Sequence, residues 1–523
     1  MKHIRLPALA AGMAAVFAAF ATLPAAAEVG VTIEAAKPGP VISKYVYGQF
    51  AEHLGTGIYG GLWVGPESAI PNTRGWRNDV VAALRELHVP VVRWPGGCFA
   101  DQYHWRDGIG PRASRPVRIN TNWGGVDEDN AVGTHEFFEL VEQLGADAYV
   151  NGNLGSGSVQ EMAEWVEYLT AGGKSSLAAL RARNGHPAPY KLAFFGVGNE
   201  AWGCGGNMQV EQYAREYSRY ASFLHPAPGG ATQFIAAGGH DDDTSWTDYL
   251  SSKVQARLDG VSFHYYTSPG ADGNGKYGAL GFDEGRWIWT LQQTQRMEGF
   301  IAGNVAKMDQ HDKQNKLAFV VDEWGTWYDA EEGSRSGFLV QQNSLRDAVV
   351  AALNFNIFHA HAGRVRMTSI AQMVNVLQAM IRTDGDRMVL TPTYHAFKMY
   401  VPFQDATSVP VRLANNPAYT FGGVSMPAVS ASAARGKDGK LYLALVNTNP
   451  REAAEVAVDV AGVSAGSASG TVLTAGAMDA HNTFAAPDAV RPAPFTATAR
   501  EGKLTLRLPA KAIVVVAVQE AAP

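Results

Sequence analysis

Cysteine is nearly missing from this chain: 523 residues contain two, Cys98 and Cys204. Neither belongs to a Cys-x-x-Cys pair or sits beside paired histidines, which excludes a disulfide framework and a structural zinc site. The sequence leaves open whether the two sulfurs meet or each fills a buried space. Positive charge is also in deficit, with 43 Lys and Arg against 49 Asp and Glu. No basic run breaks that balance, so nucleic acid is not expected as a partner. Beyond the N-terminal segment no stretch is long and apolar enough to span a bilayer. No glycine-rich turn follows an early strand, which removes the phosphate cradle of a dinucleotide-binding sheet.

What remains is the composition of a large globular protein, 46% apolar and 18% charged. Its length suits a catalytic domain plus an accessory one. Twelve Trp, 19 Tyr and 56 Gly suit loops crowded around a polar, ring-shaped ligand, although both kinds of residue also serve plain packing. The N-terminus reads as an export signal. Lys2 and Arg5 flank the start of an apolar run over residues 6–23, and Ala25, Ala26 and Ala27 offer a small-residue cleavage site. A signal peptide over 1–27 is expected, leaving a periplasmic or secreted protein made more acidic by the loss of two basic residues.

Between residues 45 and 385, short apolar β-branched runs alternate with longer helical patterns. Strands are expected over 45–50, 90–94, 147–151, 192–197, 233–237, 260–264, 317–321 and 364–370. Helices are expected over 74–88, 134–144, 159–170, 209–224, 246–257, 286–312 and 337–361, with a last one after Ala371. Eight strands, each followed by a helix, predict an α/β fold, a (β/α)8 TIM barrel over 45–400. The runs are apolar throughout, as parallel strands buried on both faces should be. After residue 400 the helical periods vanish, and strand-like segments recur between Gly, Asn and Pro turns. An antiparallel β-sandwich is expected over 401–523, joined by a strand from residues 28–44.

In such a barrel, reactive groups belong just past the C-terminal ends of the strands. Reading there collects Gln49, Glu52 and His53 after strand one and Arg93 to Cys98 after strand two. Strand four leads to Asn199-Glu200, strand six to His264-Tyr265-Tyr266, strand seven to Asp322-Glu323-Trp324 and strand eight to Gln372. Glu200 and Glu323 each follow an apolar run directly, which seats two carboxyl groups at the lip of one hydrophobic wall. A shared apolar site can separate two carboxyl pKa values into an acid and a nucleophile, the pair that glycoside hydrolysis needs. The plainer alternative is a pair of ordinary loop ion pairs. His53 and His264 fit either carboxylate orientation or packing. Asp241-Asp242-Asp243 lacks calcium-loop spacing and reads as a solvated turn or helix start. Strand alternation aims Asp322 away from Glu323 and gives it a structural role. Trp287 and Trp289 read as core or a loop wall.

Several motifs in order resemble family 51 of the glycoside hydrolases, the α-L-arabinofuranosidases. Gly198-Asn199-Glu200-Ala201-Trp202-Gly203 resembles the family's acid/base motif, and Asp322-Glu323-Trp324-Gly325-Thr326-Trp327-Tyr328 its nucleophile motif. Further matches are Tyr47-Gly48-Gln49-Phe50-Ala51-Glu52-His53, Arg93-Trp94-Pro95-Gly96-Gly97-Cys98, Trp105-Arg106-Asp107-Gly108, Ile370-Ala371-Gln372-Met373-Val374-Asn375 and His481-Asn482-Thr483-Phe484. The resemblance spans nearly the whole chain after the signal. It implies a retaining, exo-acting enzyme that removes terminal non-reducing α-L-arabinofuranosyl residues from arabinan, arabinoxylan or their oligosaccharides. Glu323 would be the nucleophile and Glu200 the acid/base. It also implies a sugar held by Glu52, Asn199, Tyr266 and Gln372 between aromatic walls at Trp105 and Trp327. Where the family often has Asn after Pro-Gly-Gly this chain has Cys98, a weaker hydrogen-bonding group facing the sugar. No metal or organic cofactor is expected, since two carboxylates suffice. A homo-oligomer is common among family members. The rival readings are a related barrel hydrolase acting on xylosides or β-glucans, and a non-catalytic carbohydrate-binding protein.

Overall fold

The computed structural model describes residues 28–227, 231–270, 275, 277–500 and 503–520. The export segment expected over 1–27 lies outside them. Eight parallel strands close a barrel in chain order: β1 Gly48–Phe50, β2 Val91–Trp94, β3 Asp147–Gly152, β4 Leu192–Val197, β5 Gln233–Ala236, β6 Gly260–Thr267, β7 Ala318–Thr326 and β8 Val365–Ala371. Closure runs through Gln49, which lies opposite Ile370 of β8 on one side and Val92 of β2 on the other. Val91, Tyr149, Phe194, Ile235, Val320 and Met367 form a separate buried cluster. It draws one inward face from six strands and makes the barrel a packed core rather than a pore. The opposite faces pack under the surrounding helices, which is why the strands read as unbroken apolar runs.

Helices Thr134–Leu144 and Val159–Thr170 begin and end at the expected residues, whereas Ser176–Arg183 was not foreseen. The first expected strand is shorter than its pattern. Lys44–Tyr47 form a 3-10 turn because the Ser43 side chain accepts the Tyr45 N–H and Asp405 accepts that of Lys44. The seventh is longer, and all nine residues of β7 are buried.

Two further sheets stack as a β-sandwich. One has six strands, in the order Thr407–Val409, Val429–Arg435, Leu441–Asn447, Ile513–Glu520, Ala465–Leu473 and Ala493–Thr498. The other has four, with Val29–Ile33 lying between Val411–Ala414 and Ala454–Val460. The pairing with Ala454–Val460 is parallel, a departure from the otherwise antiparallel sandwich. Alternation in that strand sends Val29, Val31 and Ile33 into the sandwich core.

The sandwich is fixed to the barrel through helix Leu345–Ala360. That helix is apolar on nearly every side and almost wholly buried, because barrel and sandwich cover opposite faces. Two of its polar residues meet the sandwich: Asn356 donates to the Ser430 hydroxyl at 3.0 Å, and His359 bonds that of Ser432 at 2.8 Å. Burial holds the His359 imidazole down to about 3, so it bonds as a neutral ring. No described helix is long and apolar enough to cross a membrane.

Ile33 is fully buried, so Ile33→Ala should cost about 2–5 kcal/mol. A chemical denaturation series should show the loss, and an unchanged midpoint would mean that the N-terminal strand does not hold the sandwich.

Candidate active site

The C-terminal ends of β4 and β7 bring Glu200 and Glu323 together. His264, in the C-terminal half of β6, stands between them: its Nδ1 lies 2.8 Å from Glu200 Oε1 and 3.5 Å from Glu323 Oε2. Ligand-capable atoms of the three residues all lie within 4.8 Å of one another. The placement of Glu323 depends on an irregularity of the strand. Ser262 is opposite Val320 but His264 is opposite Glu323, so β7 carries an extra residue against β6. Such a bulge re-aims the side chains that follow it. Simple alternation had sent Asp322 away from Glu323; with the bulge, both carboxylates converge on Arg93 and His264.

Arg93 is the buried cation of this cluster. Its Nη1 donates to Glu323 Oε1 at 2.7 Å, its Nη2 to Asn199 Oδ1 at 2.6 Å, and its Nε lies 3.5 Å from Asp322. The Phe50 ring covers the guanidinium at 4.6 Å. Burial opposes its charge, but Asp322 and Glu323 more than compensate and hold it protonated. The second oxygen of Glu323 accepts the Tyr266 hydroxyl at 2.8 Å. Asp322 accepts the Tyr149 hydroxyl at 2.7 Å and lies 3.2 Å from His264 Nε2. That last contact is an ion pair too poorly aligned to count as a hydrogen bond. Burial penalises a charged His264, yet Glu323, Asp322 and Glu200 together raise it to about 10. The imidazolium donates to Glu200 and pairs with Glu323 and Asp322, so the grouping reads as an ion-paired acid cluster.

Glu52, just past β1, forms the floor beside this pair. One oxygen accepts the Gly97 and Phe99 N–H groups and the Trp123 indole N–H, and the other accepts Gln372 at 3.1 Å. Burial, then the nearby charge of Glu323, raises its carboxyl to about 7. Asp101, beneath the β4 turn, is also pushed up to about 7 by burial, although it accepts three backbone N–H groups, from Leu154, Gly155 and Asn199. Two glycines are required by close approach: a Cβ on Gly96 would lie 2.6 Å from Glu52 Cγ, and one on Gly97 2.5 Å from Glu323 Oε1.

Among the residues singled out from sequence, Glu52, Asn199, Glu200, Tyr266, Glu323 and Gln372 are joined by these contacts, Cys98 lies beside Glu200, and the Trp327 ring meets Tyr266 edge-on at 5.0 Å. Trp105 is a correction. It is 1% exposed, stacks parallel to Trp165 and donates to the Glu161 carbonyl, so it packs the barrel wall and cannot face a sugar. Trp123, in a hairpin that the sequence did not reveal, is the ring whose N–H reaches Glu52. His53 lies outside the pair: Trp94 donates to its Nε2, so Nδ1 carries the proton and donates to Glu128. Asp243 accepts the Ser245 N–H at a helix start. Trp287 is core, and the half-buried Trp289 donates to the Gly270 carbonyl. Arg93 is among the residues that the sequence collects at the end of the second strand, without a role; its signal is a lone cation inside a buried apolar strand. Asp101 and Trp123 had none.

Known proteins resemble this chain in sequence and in fold. Residues 83–277 match a family model described as the α-L-arabinofuranosidase 1 domain, and residues 322–512 one described as the α-L-arabinofuranosidase C-terminal domain. An intracellular exo-α-L-arabinofuranosidase of Bacteroides ovatus is 47% identical, covering 97% of this chain and 98% of its own length. Among solved structures, a family 51 arabinofuranosidase from Xanthomonas axonopodis pv. citri is 52% identical with a TM-score of 0.92, covering 94% of this chain and all of its own. A Thermotoga maritima α-L-arabinofuranosidase crystallised with arabinose is 29% identical with a TM-score of 0.82, over the same shares of the two chains. The expectation of an exported, periplasmic or secreted protein is corrected here, because the Bacteroides relative, matched from end to end, is named intracellular. An Ala-rich apolar N-terminus satisfies the composition of a signal without establishing that it acts as one.

Two predictions follow from this geometry. Gly97→Ala should displace Glu323 and lower kcat by about a hundredfold with the circular dichroism spectrum unchanged; undiminished turnover would show that the close approach is not needed. The raised pKa of His264 stabilises the fold fully below its unfolded value near 6.5, and that contribution is lost as pH rises through about 10. His264→Asn should therefore be less stable than wild type at neutral pH, and denaturation curves should show the gap closing toward about pH 10.

Proposed function

The chain belongs to the α-L-arabinofuranosidases of glycoside hydrolase family 51, and on that footing we propose that its site runs a double displacement with Glu323 as nucleophile and Glu200 as acid/base. The substrate would be a terminal non-reducing α-L-arabinofuranosyl residue on arabinan, arabinoxylan or a derived oligosaccharide, removed in an exo fashion. One observation carries the reading: two carboxylates from opposite strands share His264 with oxygen atoms less than 5 Å apart. That close spacing suits attack by one carboxylate, whereas inversion would need room for a water between them.

In the first step Glu323 attacks the anomeric carbon, while Glu200 gives its proton to the departing glycosidic oxygen. Arg93 and Tyr266 fix the two oxygens of Glu323, so the nucleophile needs little rearrangement before attack. In the second step Glu200 takes a proton from water, which attacks the same carbon and frees Glu323 with overall retention. His264 faces both carboxylates throughout and balances whichever is charged. Glu52, Asn199, Tyr266, Gln372 and Trp327 are assigned to the sugar on family resemblance. Glu52 and Gln372 already bond one another, which presents their remaining polar capacity to furanose hydroxyls as a fixed pair. Trp123 joins them as the ring next to Glu52.

Glu323→Ala should lower turnover of an aryl α-L-arabinofuranoside on the order of a thousandfold or more. Glu200→Ala should accumulate glycosyl-enzyme on an activated aryl substrate, and added azide should speed its release as an arabinofuranosyl azide of retained configuration. Wild-type turnover by Glu323→Ala would overturn the mechanism. Calorimetric binding of arabino-oligosaccharide by the wild type with no turnover would favour a binding protein instead.

A further inference from the structure

Two sulfurs press against the carboxyl group of Glu200. Cys98 opens the 3-10 turn that follows β2, and Cys204 lies in the turn just after Glu200; the two are joined as a disulfide with Cα atoms 5.5 Å apart. Cys98 Sγ lies 3.9 Å and Cys204 Sγ 3.5 Å from Glu200 Oε2. A disulfide sulfur carries no hydrogen, so neither contact is a hydrogen bond in the oxidised protein. The other oxygen of the same carboxyl faces His264.

The backbone around Glu200 needs restraint. Glu200 has a φ of 39°, in the left-handed region. A side-chain-bearing residue holds that conformation at a cost of about 1 kcal/mol or more, and keeps it only where its surroundings enforce it. Two ties run from the β2 turn to the β4 turn. Asp101 accepts the Asn199 N–H just before Glu200, and the Cys98–Cys204 bond grips the chain four residues after it. The turn that the ties enclose closes tightly on itself, since a Cβ on Gly205, just past the second tie, would lie 1.8 Å from the Asn199 carbonyl oxygen. Cys204 is exposed and Cys98 half-buried, so the bond can be reached from the cleft.

We propose that the Cys98–Cys204 disulfide is a redox-sensitive positioning element for the acid/base, holding Glu200 against the departing oxygen when closed and weakening proton delivery when opened. The proposal rests on the assignment of Glu200 as acid/base. Opening needs a dithiol reductant. One of its thiolates attacks the exposed Cys204 sulfur, releasing the Cys98 thiolate and forming a mixed disulfide. Its second thiol then resolves that bond. The protein gains two electrons and two protons as two thiols, and the reductant leaves as a cyclic disulfide. The covalent tie after Glu200 is then gone, and two S–H groups able to donate to Oε2 stand where none stood before. Glu200 is weakened both as base toward water in the second step and as donor in the first, and kcat/KM reads only the first, in which Glu200 gives up a proton. A sugar leaving group requires that proton; a dinitrophenolate does not.

The test uses the full-length protein, purified without reductant and then treated with dithiothreitol. Alkylation and mass spectrometry report the thiols in each state. Reduction should lower kcat/KM about tenfold on an arabino-oligosaccharide but less than about twofold on dinitrophenyl arabinofuranoside, and reoxidation should restore it. The double variant Cys98→Ser/Cys204→Ser should ignore the reductant and keep the low ratio between the two substrates. The proposal is overturned if both thiols alkylate before reduction, if the ratio does not change on reduction, or if both substrates slow equally. Glu200→Ala run alongside separates the two readings. If it shows the leaving-group selectivity while reduction does not, the redox proposal falls alone; if it shows none, the acid/base assignment falls first.

Discussion

A buried cluster of charges at the barrel mouth organises everything above it. Arg93 and the protonated His264 face Asp322, Glu323 and Glu200, and most of these groups are almost entirely removed from water. Burying any one of them alone would cost several kcal/mol, and removing one partner would leave an uncompensated charge. The cluster is therefore tolerated only as a set. Tyr149 and Tyr266 supply hydroxyl donors to its carboxylates, and Asn199 caps the free end of the guanidinium. The carboxylates are thereby held in position, which a reaction needing one acid and one nucleophile in register requires.

Around that cluster the barrel supplies approach distances that no ordinary turn would allow. Gly96 and Gly97 bring the backbone after β2 against Glu52 and Glu323, and the bulge in β7 turns Glu323 toward the partner it must face. The β4 turn is held from the same side by Asp101 and by the disulfide. Acid/base and nucleophile thus hang on different strands but are registered against one segment, the chain from Arg93 to Gln102. Small shifts of that segment would reach both carboxylates at once.

The sandwich contributes at a distance. Helix Leu345–Ala360 lies buried between it and the barrel, and the Trp287 indole donates to the Thr448 carbonyl across the same boundary. The segment that begins at His481 serves this boundary too: the buried Asn482 side chain donates to the Leu390 and Val490 carbonyls and accepts the Val490 N–H. The C-terminal motif that resembles the arabinofuranosidases therefore ties a loop to the structure beside helix Pro392–Tyr400.

By itself the sequence determined the barrel and much of the site, because both rest on local signals. Parallel strands buried on two faces must be apolar runs, helices must alternate with them, and the first polar residues after each run fall at the catalytic end. Glu200, Glu323, Tyr266 and Gln372 were legible for that reason. Strands such as Val429–Arg435, built largely of Ala and Ser, carry no such signal and take their form from pairing across the sheet. What only the tertiary structure decided were facts of contact between distant segments. Trp105, in a motif shared with the family, packs on Trp165, while Trp123, in an unremarked turn, reaches Glu52. Alternation alone mis-aimed Asp322, since a one-residue bulge is invisible without the partner strand. Cys98 and Cys204 could be counted but not paired, for a bond between them depends on how two loops from different strands meet over one carboxylate.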